Sequence, residues 1–285
     1  MLPCNTASAC SMPTFLSTAW PSLLWARLPR FVRAPLHALM GAWRVLMLGA
    51  QLVVLATMPA VWRSARVRQA VLRHIYLAAG PVLPGFTALM LLLSIVLIHI
   101  VMVTAYSYGL ATYALDTVVR VLVLEILPLA AALFVAVNYS VPEGNALFRL
   151  RRDGAIQRMR DAGCEPLALL VLPRAAAAAF AVALLAMLSA LLALVLAYVG
   201  VRGFTLTGLR SFNHAVGQIF SRPVVLILIA KTLAFAFATA LMPLAQALRD
   251  APARASRTSL ELRGLIHMAT LMLLIEIAAL VSNYY

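Results

Sequence analysis

The chain has 285 residues, 64% of them hydrophobic and 11% charged, with a mean hydropathy of +0.97. A soluble domain is about 45–50% apolar and about 25% charged, so this composition excludes an ordinary soluble fold and predicts an all-α integral membrane protein held as one unit by the bilayer. The formal charge is +14, almost all arginine, with Lys231 the only lysine. In so apolar a chain the positive-inside rule explains that excess better than nucleic acid does, and no nucleic-acid partner is expected.

Residues 1–35 read as a disordered and then interfacial N-terminal segment. The start is Ser/Thr/Pro-rich and lacks the basic, then apolar, then small-residue order of a secretory signal. Trp20, Trp25, Arg27, Arg30 and Arg33 follow, a pairing of residue types suited to the membrane–water boundary. Residues 36–285 read as the membrane domain. Its first element, about 36–62, has an uninterrupted apolar core only between Arg44 and Pro59. That is short of the ~20 residues needed to span hydrocarbon, so it is read as an interfacial elbow helix, with a sixth span as the alternative. Arg63, Arg66, Arg68 and Arg73 then form a basic cytoplasmic stretch.

Five apolar runs follow, at about 82–104, 118–140, 167–200, 224–248 and 259–283, each long enough to cross a bilayer. The loop at 105–117 has no Lys or Arg. The loop after the second run carries Arg149, Arg151, Arg152, Arg158 and Arg160, and the loop after the fourth carries Arg249, Arg254 and Arg257. This distribution puts the N-terminus in the cytoplasm and the C-terminus outside. Arg202, Arg210 and Arg222 in the 201–223 loop run against it.

No phosphate-binding loop, GxSxG or HExxH motif is present. Cys4, Cys10 and Cys164 form no CxxC pair. No catalytic residue, metal site or cofactor is therefore expected. His99 lies within a predicted span, and is expected to pack between helices as a hydrogen-bonder. Glu125, Lys231 and Glu276 lie in or near apolar runs. A charge at the bilayer centre costs at least ~2.5–3.5 kcal/mol on insertion scales, so such residues face a cavity or a partner. Glu125 and Lys231 read equally as a substrate path or as a structural ion pair. Glu276, near the C-terminal end, reads as structural or snorkelling. A proton-coupled carrier using Glu125 or Glu276 is a further reading.

The interruption between the second and third runs is the most informative stretch. Pro142 and Gly144 are expected to end the second span, residues 145–159 to form a short helix of about four turns, and Gly163 and Pro166 to stop it. Such a helix suits docking on a nucleotide-hydrolysing subunit, or equally binding to anionic lipid headgroups.

Leu124-Glu125-Ile126-Leu127-Pro128, Ala131-Ala132-Leu133, Glu165-Pro166-Leu167 and Leu172-Pro173-Arg174 resemble the MlaE-type permease of bacterial lipid-transporting ABC systems. Lys231-Thr232 with Phe235 is similar to the K-S-x-x-F of that family. The resemblance runs from about Arg73 to the C-terminus. It implies an interfacial helix plus five spans and a multi-pass location in the bacterial inner membrane. Its implied partners are a cytoplasmic ABC ATPase, a periplasmic MCE-domain protein, a second permease copy and membrane lipid. The ATPase-coupling segment it implies comprises Arg152, Asp153, Ile156, Arg158, Met159 and Arg160.

The sequence also departs from the family pattern. Leu124 stands where Arg is usual, and Ala136-Val137-Asn138-Tyr139-Ser140 replaces AGR-x-G. Ala146 replaces an acidic residue, the usually acidic coupling helix is basic, and the glycine-rich motif before the last span is Arg257-Thr258-Ser259-Leu260-Glu261-Leu262. These changes support, as the alternative, a non-transporting scaffold that pairs with an active paralogue.

Overall fold

The computed structural model describes residues 30–109, 111–202, 209–248 and 257–284; the N-terminal segment to residue 29 and the 249–256 linker lie outside them. The described elements are helices. α1 is Arg30–Thr57, α2 Pro59–Arg63, α3 Ala65–Ala79 and α4 Val82–Ser107. α5 (Ala111–Val118) runs through a π-helical stretch, Val119–Ile126, into α6 (Leu127–Val135), and a second π stretch, Ala136–Ser140, leads into α7 (Val141–Arg152). α8 is Ala155–Asp161, and a third π stretch, Leu167–Val171, opens α9 (Leu172–Arg202). α10 (Leu209–Ile219), α11 (Arg222–Ala247) and α12 (Arg257–Tyr284) complete the order.

Among the described residues, five helical runs are long and apolar enough to cross a membrane: Ala65–Ser107, Leu115–Arg152, Leu167–Gly200, Arg222–Ala247 and Gly264–Ser282. The apolar part of α1, Trp43–Thr57, is shorter, as the elbow reading requires and the sixth-span alternative does not. α1 crosses α11 at Gly49, where an added Cβ would meet Phe237 and sit 2.6 Å from Leu241 Cδ1. A side chain there would have to push the ends of those two side chains aside, which glycine avoids.

Two expected boundaries change. The basic stretch before the first span is helical, so α3 and α4 form one long run. The second span does not end at Pro142 and Gly144; it continues to Arg152. The reason is a device used three times. Pro128, Pro142 and Pro173 each stand second after a π stretch. In each case the residue before the proline donates its backbone N–H five residues back: Leu127 to Leu122, Val141 to Ala136 and Leu172 to Leu167. A proline in a regular helix clashes with the carbonyl four residues earlier. One wide turn relieves the clash and the helix goes on.

α9 is the centre of the bundle, packed against α3, α4, α6 and α11. Its buried face repeats every four residues: Ala177, Ala181, Leu185, Ser189, Ala193 and Ala197. Small residues let helix backbones approach closely where the hydrophobic effect gives no preference between protein and lipid. α4 buries Val82, Phe86, Met90, Ser94, Ile98 and Met102 at the same spacing, and turns Leu89, Leu92, Ile95, Ile100 and Val103 outward. His99 is on that exposed face, so the expectation of a packed interhelical histidine is corrected: it lies beside Ile98, one position off the buried stripe. α10 is a separate amphipathic helix in the 201–223 loop. It buries Phe212 and Ile219 and leaves Asn213, His214 and Gln218 exposed.

Candidate functional site

Glu125, Lys231 and Glu276 are among the charges that the sequence places in apolar runs, and the fold brings these three to one point. Glu125 comes from the first π stretch, Lys231 from α11 and Glu276 from α12. The Lys231 Nζ group donates to Glu125 Oε2, to Glu276 Oε1 at 2.8 Å and to the backbone oxygen of Leu124 at 3.1 Å. An ammonium has three N–H donors, and here each has an acceptor. The third acceptor has a covalent cause. In a regular helix the Leu124 carbonyl would take the N–H of residue 128, but that residue is Pro128, which has none. The lysine side chain satisfies the carbonyl that the proline leaves free.

Lys231 is buried, and its ring neighbour Phe235 lies one turn on, 5.8 Å from Nζ to the ring centre. The side chains of Glu125 and Glu276 are also largely enclosed, at 13% and 12% exposure. A small cleft lined by Leu124, Glu125, Val224, Ile227, Leu228, Lys231 and Ala279 opens beside the triad. The even choice between substrate path and ion pair thus acquires a geometry: the ammonium is fully used in packing, and Glu125 is the carboxylate on the cleft wall.

A second polar cluster was not apparent in the sequence. His74 on α3, Tyr139 in the second π stretch, Glu143 on α7 and Arg174 on α9 meet. Arg174 Nε donates to Glu143 Oε2 at 2.6 Å, and an Arg174 terminal nitrogen donates to the Leu170 carbonyl at 2.7 Å. His74 Nδ1 and the Tyr139 hydroxyl are 3.0 Å apart, and His74 Nδ1 is 4.0 Å from the same Glu143 oxygen. Arg174 was legible as part of the Leu172-Pro173-Arg174 match. Glu143 was hidden because Pro142 made it read as the end of a helix. One residue on, Gly144 packs flush on α11, where an added Cβ would lie 3.0 Å from the Pro243 carbonyl oxygen.

Removing one partner of a buried ion pair costs about 3–5 kcal/mol. Glu143 keeps 22% of its side chain exposed, so Glu143→Ala is expected to cost less, about 2–3 kcal/mol. Denaturant unfolding in detergent reads this loss, and Glu143→Gln, which still accepts a hydrogen bond from Arg174, recovers part of it.

The coupling segment is not the single helix expected at 145–159. α7 stops at Arg152, and Gly154 turns left-handed at φ 70° before α8 begins. Gly154 and Gly163, at φ 72°, supply the conformation that other residues adopt at a cost. Gly163 N donates to the Arg160 carbonyl and Cys164 N to the Met159 carbonyl, each at 2.9 Å. This double closure ends α8 at the glycine that the sequence marked as a stop. Arg152, Asp153, Arg158 and Arg160 are exposed, while Ile156 and Met159 are half-buried, Ile156 against the core. The candidate residues therefore separate into two groups: Glu125 and Lys231 between spans, and 152–160 on a short surface helix. An Arg151 guanidinium nitrogen links the groups by donating to the Leu248 carbonyl at the end of α11.

Five spans, a central small-residue helix and charges paired inside the bundle define a polytopic α-helical protein of the transporter-permease class. The chain belongs to the MlaE permease family: the model of that family, Permease MlaE, matches residues 71–281. A permease is the membrane subunit of a transporter and not a catalytic enzyme. The matched range begins within α3 and ends within α12, so it takes in both polar clusters and α8. No curated protein matches the chain.

Proposed function

We propose that the chain is the membrane subunit of an ABC transporter. It moves lipid or another hydrophobic substrate between a bacterial inner membrane and a periplasmic MCE-domain partner. Energy comes from a separate cytoplasmic ATPase, and the permease works as a pair of copies. The observation that carries this reading is α8, a short, exposed, arginine-bearing helix set between two spans of a chain of the MlaE permease family. Its position is that of a helix that transmits movement of an ATPase to the bundle. Its charge calls for an acidic partner surface. The N-terminus then lies in the cytoplasm and the C-terminus in the periplasm, as the arginine distribution requires.

Glu125 on the cleft wall is the residue best placed to meet a polar headgroup, with Lys231 holding it in position. Leu124, Val224, Ile227 and Leu228 make the rest of that small cleft's wall apolar.

Purification in gentle detergent from the native host tests the reading. The expected result is an ATPase subunit and an MCE-domain protein in the same complex. Recovery of the MCE-domain protein with a second, different permease chain and no ATPase contact through α8 supports the scaffold reading instead. The saturated Lys231 ammonium favours that second reading to the extent that the triad packs helices without needing a substrate.

A further inference from the structure

The charges of the triad do not balance. Two carboxyl groups, Glu125 and Glu276, meet one ammonium, Lys231. Fully ionised, the cluster would carry a net charge of minus one among three spans. Lys231 has no further N–H to give, since its third donor holds the Leu124 carbonyl. Glu276 Oε2 is enclosed and has no hydrogen-bond partner. Among the described residues, the charged side chains that reach Glu276 are Lys231 and Glu125, from α11 and the first π stretch. Arg120, one turn before Glu125, is committed to Asp116, with Nε 2.9 Å from Oδ1.

An ionised carboxylate oxygen with no donor, in a site of low polarity, is an uncompensated buried charge and is strongly disfavoured. Two carboxylates bound to one small cation are also held close enough to repel, a condition under which one proton is retained by the pair. Such a proton belongs to the pair and not to either residue.

We propose that the Glu125–Lys231–Glu276 cluster is a proton-binding site that holds one exchangeable proton between its two carboxyl groups, so that the triad is electrically neutral in the membrane. The ligand is a proton drawn from water. The small cleft lined by Glu125 and Lys231 borders the pair on one side. The inference rests on the triad alone and stands or falls separately from ATPase coupling.

Infrared spectroscopy of the full-length protein in lipid nanodiscs at neutral pH tests it. A protonated carboxyl has a carbonyl stretching band, moved by exchange into deuterium oxide, that a carboxylate lacks. The expected result is such a band in the wild type and its loss in both Glu125→Gln and Glu276→Gln. Either change leaves one carboxylate facing one ammonium, with no proton to hold. Loss in both variants is the signature of a shared proton, since a proton on one isolated acid is lost in only one. Glu125→Asp and Glu276→Asp keep the carboxyl and should displace the band, which covers the case of a glutamine variant that does not fold. Absence of the band from the wild type overturns the proposal, as does a band that survives either glutamine change and is moved by neither aspartate. A sodium-dependent rise in melting temperature without the band places a metal cation there and overturns it equally.

Discussion

Replacing Lys231 by methionine is expected to destabilise the membrane domain by about 3–5 kcal/mol, the cost of removing one partner of a buried ion pair. Three losses coincide at this one side chain. Glu125 and Glu276 lose their common counter-charge, and the Leu124 carbonyl, which Pro128 cannot serve, loses its donor. Van der Waals packing does not compensate, because methionine restores volume without donors. The midpoint of detergent or denaturant unfolding reads the effect. Adding Glu125→Gln and Glu276→Gln to the methionine variant should recover most of it, since no uncompensated charge is then buried. If Lys231→Met alone unfolds at the wild-type midpoint, the triad does not hold the helices together. α12 is the element most exposed to this change: it packs chiefly on α11, and the Lys231–Glu276 contact is a charged tie between the two.

Reversing the charge of α8 is the second large effect, and it is functional, not structural. Arg158→Glu with Arg160→Glu is expected to abolish stimulation of the partner ATPase while the permease keeps its fold. Both side chains are exposed, and the hydrogen bond of Arg158 to the Asp153 carbonyl at 3.0 Å is local to α8. Like charges set face to face at an interface cost ~several kcal/mol, and each ~1.4 kcal/mol is a factor of ten in affinity. Stimulation should therefore fall by well over about tenfold. ATPase turnover of the purified complex, beside gel filtration of the variant, makes the measurement. Wild-type stimulation in the variant removes α8 as the coupling helix. The half-buried Ile156 and Met159 are a poor choice for the same experiment, because changing them disturbs packing together with docking.

The connection between α8 and the spans is mechanical in form. α8 follows α7 through Gly154, and α7 is fixed to α11 at two points, the flush contact of Gly144 on Pro243 and the Arg151 bond to the Leu248 carbonyl. α11 carries Lys231. The contacts between α8 and the triad thus run through one helix junction and one interhelical seam. Glu143, between these points, ties α7 to α9 through Arg174.

Much of the architecture was legible from composition and run length alone. A stretch of some 20 apolar residues crosses a bilayer whatever its neighbours are, so the five spans and the shorter α1 needed no tertiary information. The glycine stop at Gly163 was legible as well, because a left-handed residue at a helix end is a local requirement. The effect of Pro142 is not local: the turn before it widens and the helix continues. Gly154 was passed over for the converse reason, since a glycine inside a polar helix is tolerated or breaks it according to what the flanking helices pack against.

The sequence by itself determined that this is a five-span basic membrane protein, with a polar arginine-rich segment between its second and third spans and with Glu125, Lys231 and Glu276 among the charges in its apolar runs. Only the tertiary structure decided which of those charges meet, which face of α4 and α9 is inward, and that Glu143, His74, Tyr139 and Arg174 form a cluster. The physical reason is that a span apolar on every side carries no record of its buried face: lipid and protein interior are equally apolar, and the choice between them is made by shape, by small residues and by polar partners that lie far away in the chain.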